Sequence, residues 1–432
     1  MFNIEPVTQR FILVIGIIVV LMIPLLTVMI LVFERKDYYE DAVTNVAQAW
    51  SDNQAFAGPL VVTETNLDSM GDTSDINTET FVLMPSKLTL THNSSHEMRS
   101  RGIYRIPVFS AVVSATAMFS PVDADSLPGE IQNASIAIGV SDSRGVRSAT
   151  IRWNDTELKE QYSSQLRGIG SVVRTELSKE ELFKGGTVSV EIELRGTGRF
   201  SVLPVGDESV VHMSSDWPHP SFDGRYLPDE HEVTEDGFSA SWTTHELSRG
   251  FSSQLSIGEL NDALYAISSP SRRQADLGYS MLTLNTPYRA VERSIKYGVL
   301  FVVMTMVGIL CIELLTKSPM HIVQYGVVGV GLVLFFLILL SLSEHIGFAA
   351  GYAIAAVLLA LMNTTYVWFA SRNRSVAIAM SSILIVLYVA LYLVLQLNEY
   401  ALLVGSALLV FLLAALMFAT RNLRVGDSAE NS

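Results

Sequence analysis

Two textures divide this chain. Apolar residues run almost without interruption at 11–33, 297–315, 322–342, 346–370, 376–395 and 401–419, whereas between 60 and 284 they come in short stretches broken by polar residues. A helix needs roughly 20 mainly apolar residues to cross a hydrocarbon core of about 30 Å, and backbone groups inside that core must find partners within the helix. Each long run therefore predicts a spanning helix, six in all, five of them in one block at 297–420.

The polar residues between the runs give the orientation. Lys317 follows the run at 297–315, Glu344 and His345 the next, Arg372 and Arg374 the one after; Glu399 precedes the last run, and Arg421 and Arg424 follow it. Basic residues at alternate turns are the positive-inside pattern. Residues 1–10 then read as a cytoplasmic leader, 11–33 as an anchor helix, 34–296 as a domain on the outer side, 297–420 as the five-helix block and 421–432 as a cytoplasmic tail. The run at 11–33 is too long for a secretory signal and ends at Glu34-Arg35-Lys36-Asp37 without a small-residue cleavage site, so it is expected to stay.

Within the outer segment, Val43, Val46, Ala47 and Trp50 recur at helical spacing and predict a continuation of the anchor, which Gly58-Pro59 is expected to end. Beyond it, strands are predicted at 60–63, 81–90, 103–118, 131–140, 188–194, 200–205, 238–242 and 279–284. Gly196-Thr197-Gly198 reads as a hairpin turn, since glycine reaches positive φ without steric penalty. Thr286 and Pro287 read as the cap and first turn of the helix that re-enters the membrane.

Composition refines this picture. The net charge of −14 belongs mainly to the outer segment and excludes the basic face that nucleic-acid binding requires. Cys311 is the single cysteine and falls in a membrane run, so an intrachain disulfide or a cysteine-based metal site is excluded.

Candidate chemistry is sparse. The phosphate loop, the Gly-x-Ser-x-Gly elbow and the Ser-x-x-Lys pair are all missing from the sequence. His96-Glu97 and His245-Glu246 begin like a zinc-protease helix, but Ser100 and Arg249 stand where the second histidine belongs. His212, Asp216, His219, Asp223, Asp229 and His231 cluster in sequence, yet Pro218, Pro220 and Gly224 make the stretch an irregular loop. No metal or cofactor is assigned. The preferred reading has Trp217, Phe222 and Tyr226 plugging apolar pockets while the prolines stiffen the loop, and His92 and His96 solvated on a turn at Asn93-Ser94-Ser95.

In the membrane block each ionisable residue carries weight. Glu313 reads as a carboxylate reaching the interface beside Lys317, and Glu344 with His345 as a docking pair at the outer boundary. Asn363, with Thr364 and Thr365, is a polar patch suited to interhelical hydrogen bonds; Gly347, Gly351 and Ala355 mark a face for close helix packing.

Several stretches resemble one family: Val140-Ser-Asp-Ser-Arg-Gly145, Gly196-Thr-Gly198, Ser215-Asp-Trp-Pro-His-Pro-Ser-Phe222 continuing to Tyr226-Leu-Pro228, Gly237-Phe238 with Trp242, Gln324-Tyr325 and Leu342-Ser-Glu-His-Ile-Gly-Phe348. Together they are similar to the CreD family of bacterial inner membrane proteins, also called the cell envelope integrity family. The resemblance implies an inner membrane location, control by a two-component sensor-regulator pair, and a role in envelope integrity and stress tolerance without an enzymatic activity. One departure is visible: the family often has His-Pro-Met before the Gln-Tyr pair, and this chain has Pro319-Met320-His321.

The expected protein is thus an α+β membrane protein with six transmembrane helices and a large β-rich periplasmic domain between helices one and two. Its expected partners are the lipid bilayer and an unidentified envelope component, met through Asp216, Trp217, His219, Phe222, Tyr226, Glu344 and His345, with Glu313 and Asn363 as an intramembrane polar site. The alternative is a transporter or channel whose outer domain gathers substrate.

Overall fold

The computed structural model describes residues 6–67, 77–123, 129–159, 161–166, 170–249, 252–260, 276–281, 287–316, 320–371 and 374–396, with isolated helical positions at 403, 406, 407, 410, 414 and 417. The chain divides into two compact units: Met1–Tyr39 with Asn285–Ser432, and Glu40–Leu284.

Helix α1 (Pro6–Trp50) is continuous through Pro24, so anchor and continuation form one helix as expected. It ends at Trp50, where Ser51, Asp52 and Asn53 follow and the Asp52 carboxylate accepts from Asn53 N–H at 2.7 Å. The expected stop at Gly58-Pro59 is wrong. Both residues lie inside the first strand, at a shift of register between Ala57 and Leu60. Gly58 there has φ +119°, and a bulge is where a strand tolerates glycine and proline.

The strands follow in chain order: β1 (Gln54–Leu67), β2 (Asn77–Leu83), β3 (Lys87–Arg101), β4 (Tyr104–Phe119), β5 (Glu130–Val140), β6 (Val146–Trp153), β7 (Thr156–Leu158), β8 (Gln161–Leu166) and β9 (Gly170–Leu177). A short capped helix, α2 (Lys179–Lys184), leads to β10 (Gly186–Thr197), β11 (Arg199–Leu203), β12 (Glu208–Ser215), β13 (Pro220–Gly224), β14 (Glu230–Thr234) and β15 (Gly237–His245). After α3 (Glu246–Arg249) come β16 (Gln254–Ser256) and β17 (Leu277–Met281). They form two sheets. One runs β14-β15-β12-β3-β4-β10-β6-β7; the other runs β13-β17-β11-β1-β5-β9-β8, with β2 on β1 and β16 on β2.

A single hydrophobic core joins the sheets: Leu88, Leu90, Val113, Ile192 and Met213 from the first share it with Phe56, Val61, Ile138, Phe200 and Val202 from the second. Burial alternates residue by residue along β4 from Phe109 to Phe119, as a half-buried strand requires. Gly196-Thr197-Gly198 is not a hairpin turn. It carries the chain from β10 in one sheet to β11 in the other, with Gly198 at φ +76°. The expected strand at 81–90 is likewise two strands, parted at Met84-Pro85-Ser86.

The other unit adds α4 (Pro287–Thr316), α5 (Ile322–Ile346), α6 (Phe348–Ser371) and α7 (Arg374–Gln396). Among the described residues, five helices, α1 included, are long and apolar enough to cross a membrane. The span of the sixth run, 401–419, lies mostly outside the described residues, as does Thr286. Gly347, at φ +83°, closes α5 and is not part of the α6 face; Gly351 and Ala355 are buried on that helix.

Helix α5 is the packing centre of this unit. A Cβ on Gly329 would stand 2.3 Å from Leu21 of α1, and one on Gly331 would stand 2.7 Å from the Asn363 side chain of α6. Small residues let helices approach this closely in lipid, where packing replaces the hydrophobic drive. Replacing Gly331 with leucine is expected to force α5 and α6 apart, costing about 1–3 kcal/mol, read as a lower melting temperature of the detergent-solubilised chain, whereas Gly326→Leu, which meets nothing within 4 Å, leaves melting unchanged.

Candidate functional site

The quoted sequence stretches of the β-rich unit gather at two places. At the first, the end of α1 is tied to the sheets. Asp142 accepts hydrogen bonds from Ser51 Oγ at 3.1 Å, Asp52 N–H at 2.9 Å, and Arg144 through its N–H, Nε and Nη2 at 3.0, 3.0 and 2.7 Å. Arg144 also donates to the Gln48 carbonyl at 2.7 Å, one of the α1 carbonyls left without a helical partner. Burial alone would raise the Asp142 carboxyl, but these donors outweigh it and hold the group well below the usual carboxylate range. Thr197 donates to the Ser51 carbonyl at 2.7 Å, and Gly145 leaves no room for a side chain, with the Arg195 carbonyl 2.3 Å from where a Cβ would be. The Trp50 ring lies between the guanidinium groups of Arg99 and Arg195, 4.4 and 4.2 Å from its centroid. So Val140–Gly145 and Gly196–Gly198 act as a seat for the helix end.

The second place is the corner after β12. Asp216 accepts from His96 N–H at 2.8 Å and pairs with His96 Nδ1 at 2.7 Å. Trp217 is buried, its indole donating to the His219 carbonyl at 2.8 Å, its ring edge-on to His96. Phe222 lies on β13 among His231, Phe238 and Trp242, with ring centroids 5.3, 5.6 and 5.9 Å away. Tyr226 donates to the Ser248 carbonyl at 2.5 Å and receives the Trp242 indole N–H at its own carbonyl at 3.1 Å. The stretch expected to be an irregular loop thus contains a strand, and its aromatics are packing groups. Asp223 pairs with Arg199 and Asp229 accepts from Thr243 N–H; among the described residues no three His, Cys, Asp or Glu are placed to hold a metal ion.

His92 contradicts its expected place. Asn93-Ser94-Ser95 is strand rather than turn, and His92 is fully buried between the sheets, stacked on Phe200 at 3.8 Å with Nε2 3.2 Å from the Tyr279 hydroxyl. Desolvation pushes its pKa down to about 3 and that of Tyr279 up to about 12. The period-2 phase of Leu88, Leu90 and His92 was the available signal.

The outward face of the eight-stranded sheet carries two adjoining hollows, about 740 and 410 Å³, that share Asn93 and Ser214. Register places Asn93 beside Ser214 on one side and Val112 on the other, and Ser95 beside Ser110, which in turn faces Arg195. The floor is therefore mainly hydroxyl and amide, with Arg147, Glu193, Asp216 and Asp236 at its margins. The corner residue Asp216 is the only expected site residue that borders the larger hollow. Short polar residues scattered over β3, β4 and β12 leave no motif, so sequence reasoning missed this groove.

In the membrane unit Glu313 is buried, its side chain 3 % exposed, and it pairs with Arg10 of α1 while the Tyr325 hydroxyl of α5 donates to it at 2.6 Å. It does not snorkel, and the expected partner Lys317 lies outside the described residues. Glu344 accepts from the Tyr288 hydroxyl at 3.1 Å and lies 3.9 Å from Arg35 Nε, while its neighbour His345 is exposed. Each carboxylate thus links α1, α4 and α5 at one end of these helices. His321 caps α5 through a reciprocal pair of bonds with Gln324, so the displaced histidine has a structural task. Asn363 is buried against Gly331.

Several apolar spanning-length helices together with a two-sheet β-rich unit define a multi-pass membrane protein. Comparison with known proteins narrows the class. The family described as "Inner membrane protein CreD" matches residues 6–425, and the chain is 30% identical over 424 residues to the inner membrane protein CreD of Escherichia coli (strain K12), covering 94% of this chain and 91% of that protein. The chain belongs to the CreD family of inner membrane proteins. Two solved M1 zinc metallopeptidases from Deinococcus radiodurans align with 37% of this chain and 39% and 38% of their own, at 13% and 12% identity and TM-scores of 0.23 and 0.22; so slight a likeness carries no inference.

Proposed function

We propose that this protein supports envelope integrity without catalysis, by binding an envelope component on the outward groove of its β-rich unit. The observation that carries the reading is that groove: a polar floor on four strands, Asn93, Ser95, Ser110 and Ser214 among its residues, within the size range of ligand sites. In this reading both termini are cytoplasmic, the last run is a sixth span, and residues 34–296 face the periplasm, as the basic residues at alternate turns favour.

Filling the groove tests this. Ser110→Trp, on the outward side of β4, is expected to abolish protection against an envelope-directed agent while leaving protein abundance and melting near wild type. Retained protection at equal abundance would overturn the reading. The transporter alternative needs Glu313 or Glu344 to face a hydrated path; Glu313 already has Arg10 and Tyr325 as partners and Glu344 has Tyr288 and Arg35, so the groove is favoured.

A further inference from the structure

Resting on that binding reading, we infer that the groove takes a short extended peptide with a free amine and a free carboxylate. Register sets Ser95 opposite Ser110 and Ser110 opposite Arg195, and Asp216 follows the last β12–β3 pair, Ser215 with Ser94. Asp216, Ser95, Ser110 and Arg195 therefore form one row across β12, β3, β4 and β10, acidic at one end and basic at the other. Three strand spacings of about 4.8 Å give a span of about 14 Å, the length of about four extended residues.

The margins repeat the polarity. Arg147 joins Arg195 at the basic end and Asp236 joins Asp216 at the acidic end. Among the described residues neither Arg147 nor Asp236 has a side-chain ion pair or hydrogen bond, whereas Asp216 is shared with His96 and Arg195 is stacked on Trp50. Glu193 stands beside Arg195 and moderates that end. All four strands of the floor are interior to the sheet, so their backbone groups are taken and strand addition is excluded there. Recognition falls to Asn93, Ser95, Ser110 and Ser214, whose hydroxyl and amide groups both donate and accept, as a peptide backbone requires.

The test uses the full chain in nanodiscs and tetra-alanine with free ends, with its N-acetylated and C-amidated forms as controls. Blocking either end is expected to weaken binding by up to about fivefold, the upper end of what solvent-exposed ion pairs contribute, and added salt should narrow the difference. Arg147→Gln should erase the penalty of amidation alone, and Asp236→Asn the penalty of acetylation alone. Equal binding of free and blocked peptides overturns the inference, as does binding of an uncharged chitin oligomer in place of any peptide. If Ser110→Trp abolishes protection while tetra-alanine fails to bind, the peptide class falls and groove binding stands; if Ser110→Trp keeps protection, groove binding itself falls.

Discussion

Replacing His92 with glutamine is expected to flatten the acid limb of the stability curve of the β-rich unit. An unfolded histidine titrates near 6.5, whereas the buried ring is held down to about 3. Below pH 6.5 the unfolded chain takes up a proton that the folded chain refuses, so the stability present at neutral pH is lost as pH falls from 6.5 towards 3. Linkage puts the loss at about 2 kcal/mol by pH 5 and roughly 4 kcal/mol near pH 3. Asp142 acts in a lower window. Its depressed carboxyl contributes stability above the unfolded value of about 3.9 and loses it only as pH falls further, so the range from pH 6.5 to 5 isolates His92.

Glutamine keeps a hydrogen-bond partner for the Tyr279 hydroxyl but loses the stacking on Phe200, so the variant should be about 1–2 kcal/mol less stable at pH 7.5. The two proteins should then converge near pH 5. Urea unfolding followed by tryptophan emission reads this unit selectively, since Trp50, Trp153, Trp217 and Trp242 lie in it and Trp368 alone lies in the other. Parallel curves for wild type and His92→Gln from pH 7.5 to 5 would show that this ring does not set the acid response.

What could be read from the sequence follows from how local each determinant is. Long apolar runs declare their helices because each satisfies its own backbone, and α5 and α7 fall close to where the pattern puts them. Strands declare themselves through alternation, as 103–118 and 131–140 do, but alternation says nothing of which strand lies alongside. Gly196-Thr197-Gly198 has the chemistry of a hairpin and sits between two strands, yet those strands belong to different sheets. Gly58-Pro59 looks like a stop until the bulge opposite Ala137 gives it a place in β1. The three polar residues after His92 suggest a turn, whereas its phase with Leu88 and Leu90 carries the information. The groove was beyond reach for a stricter reason: its floor is assembled by register across β12, β3, β4 and β10, and no short stretch of chain contains it.

Glu313 likewise depends on a distant partner, Arg10 of α1, more than three hundred positions away. Arg10→Met alone is expected to be severely destabilising, by about 3–5 kcal/mol, because it leaves a buried carboxylate facing only the Tyr325 hydroxyl. Glu313→Met alone should cost less, since Arg10 is 40 % exposed and can turn its guanidinium to the interface. Replacing both with methionine removes the charge and its counter-charge together, and an ion pair exchanged for apolar groups of similar volume is often neutral. The double variant should therefore melt within about 1 kcal/mol of wild type, well above Arg10→Met. Additive losses in the double variant would mean that the two side chains act independently and that α1 is held against α5 by packing alone, through contacts such as Leu21 on Gly329. A strong positive coupling instead assigns the charge pair the task of fixing the register of α1 against α4 and α5, with a consequence for the rival transport reading: a carboxylate committed to Arg10 is not free to carry a proton or cation, so flux, if any exists, should survive in the double variant.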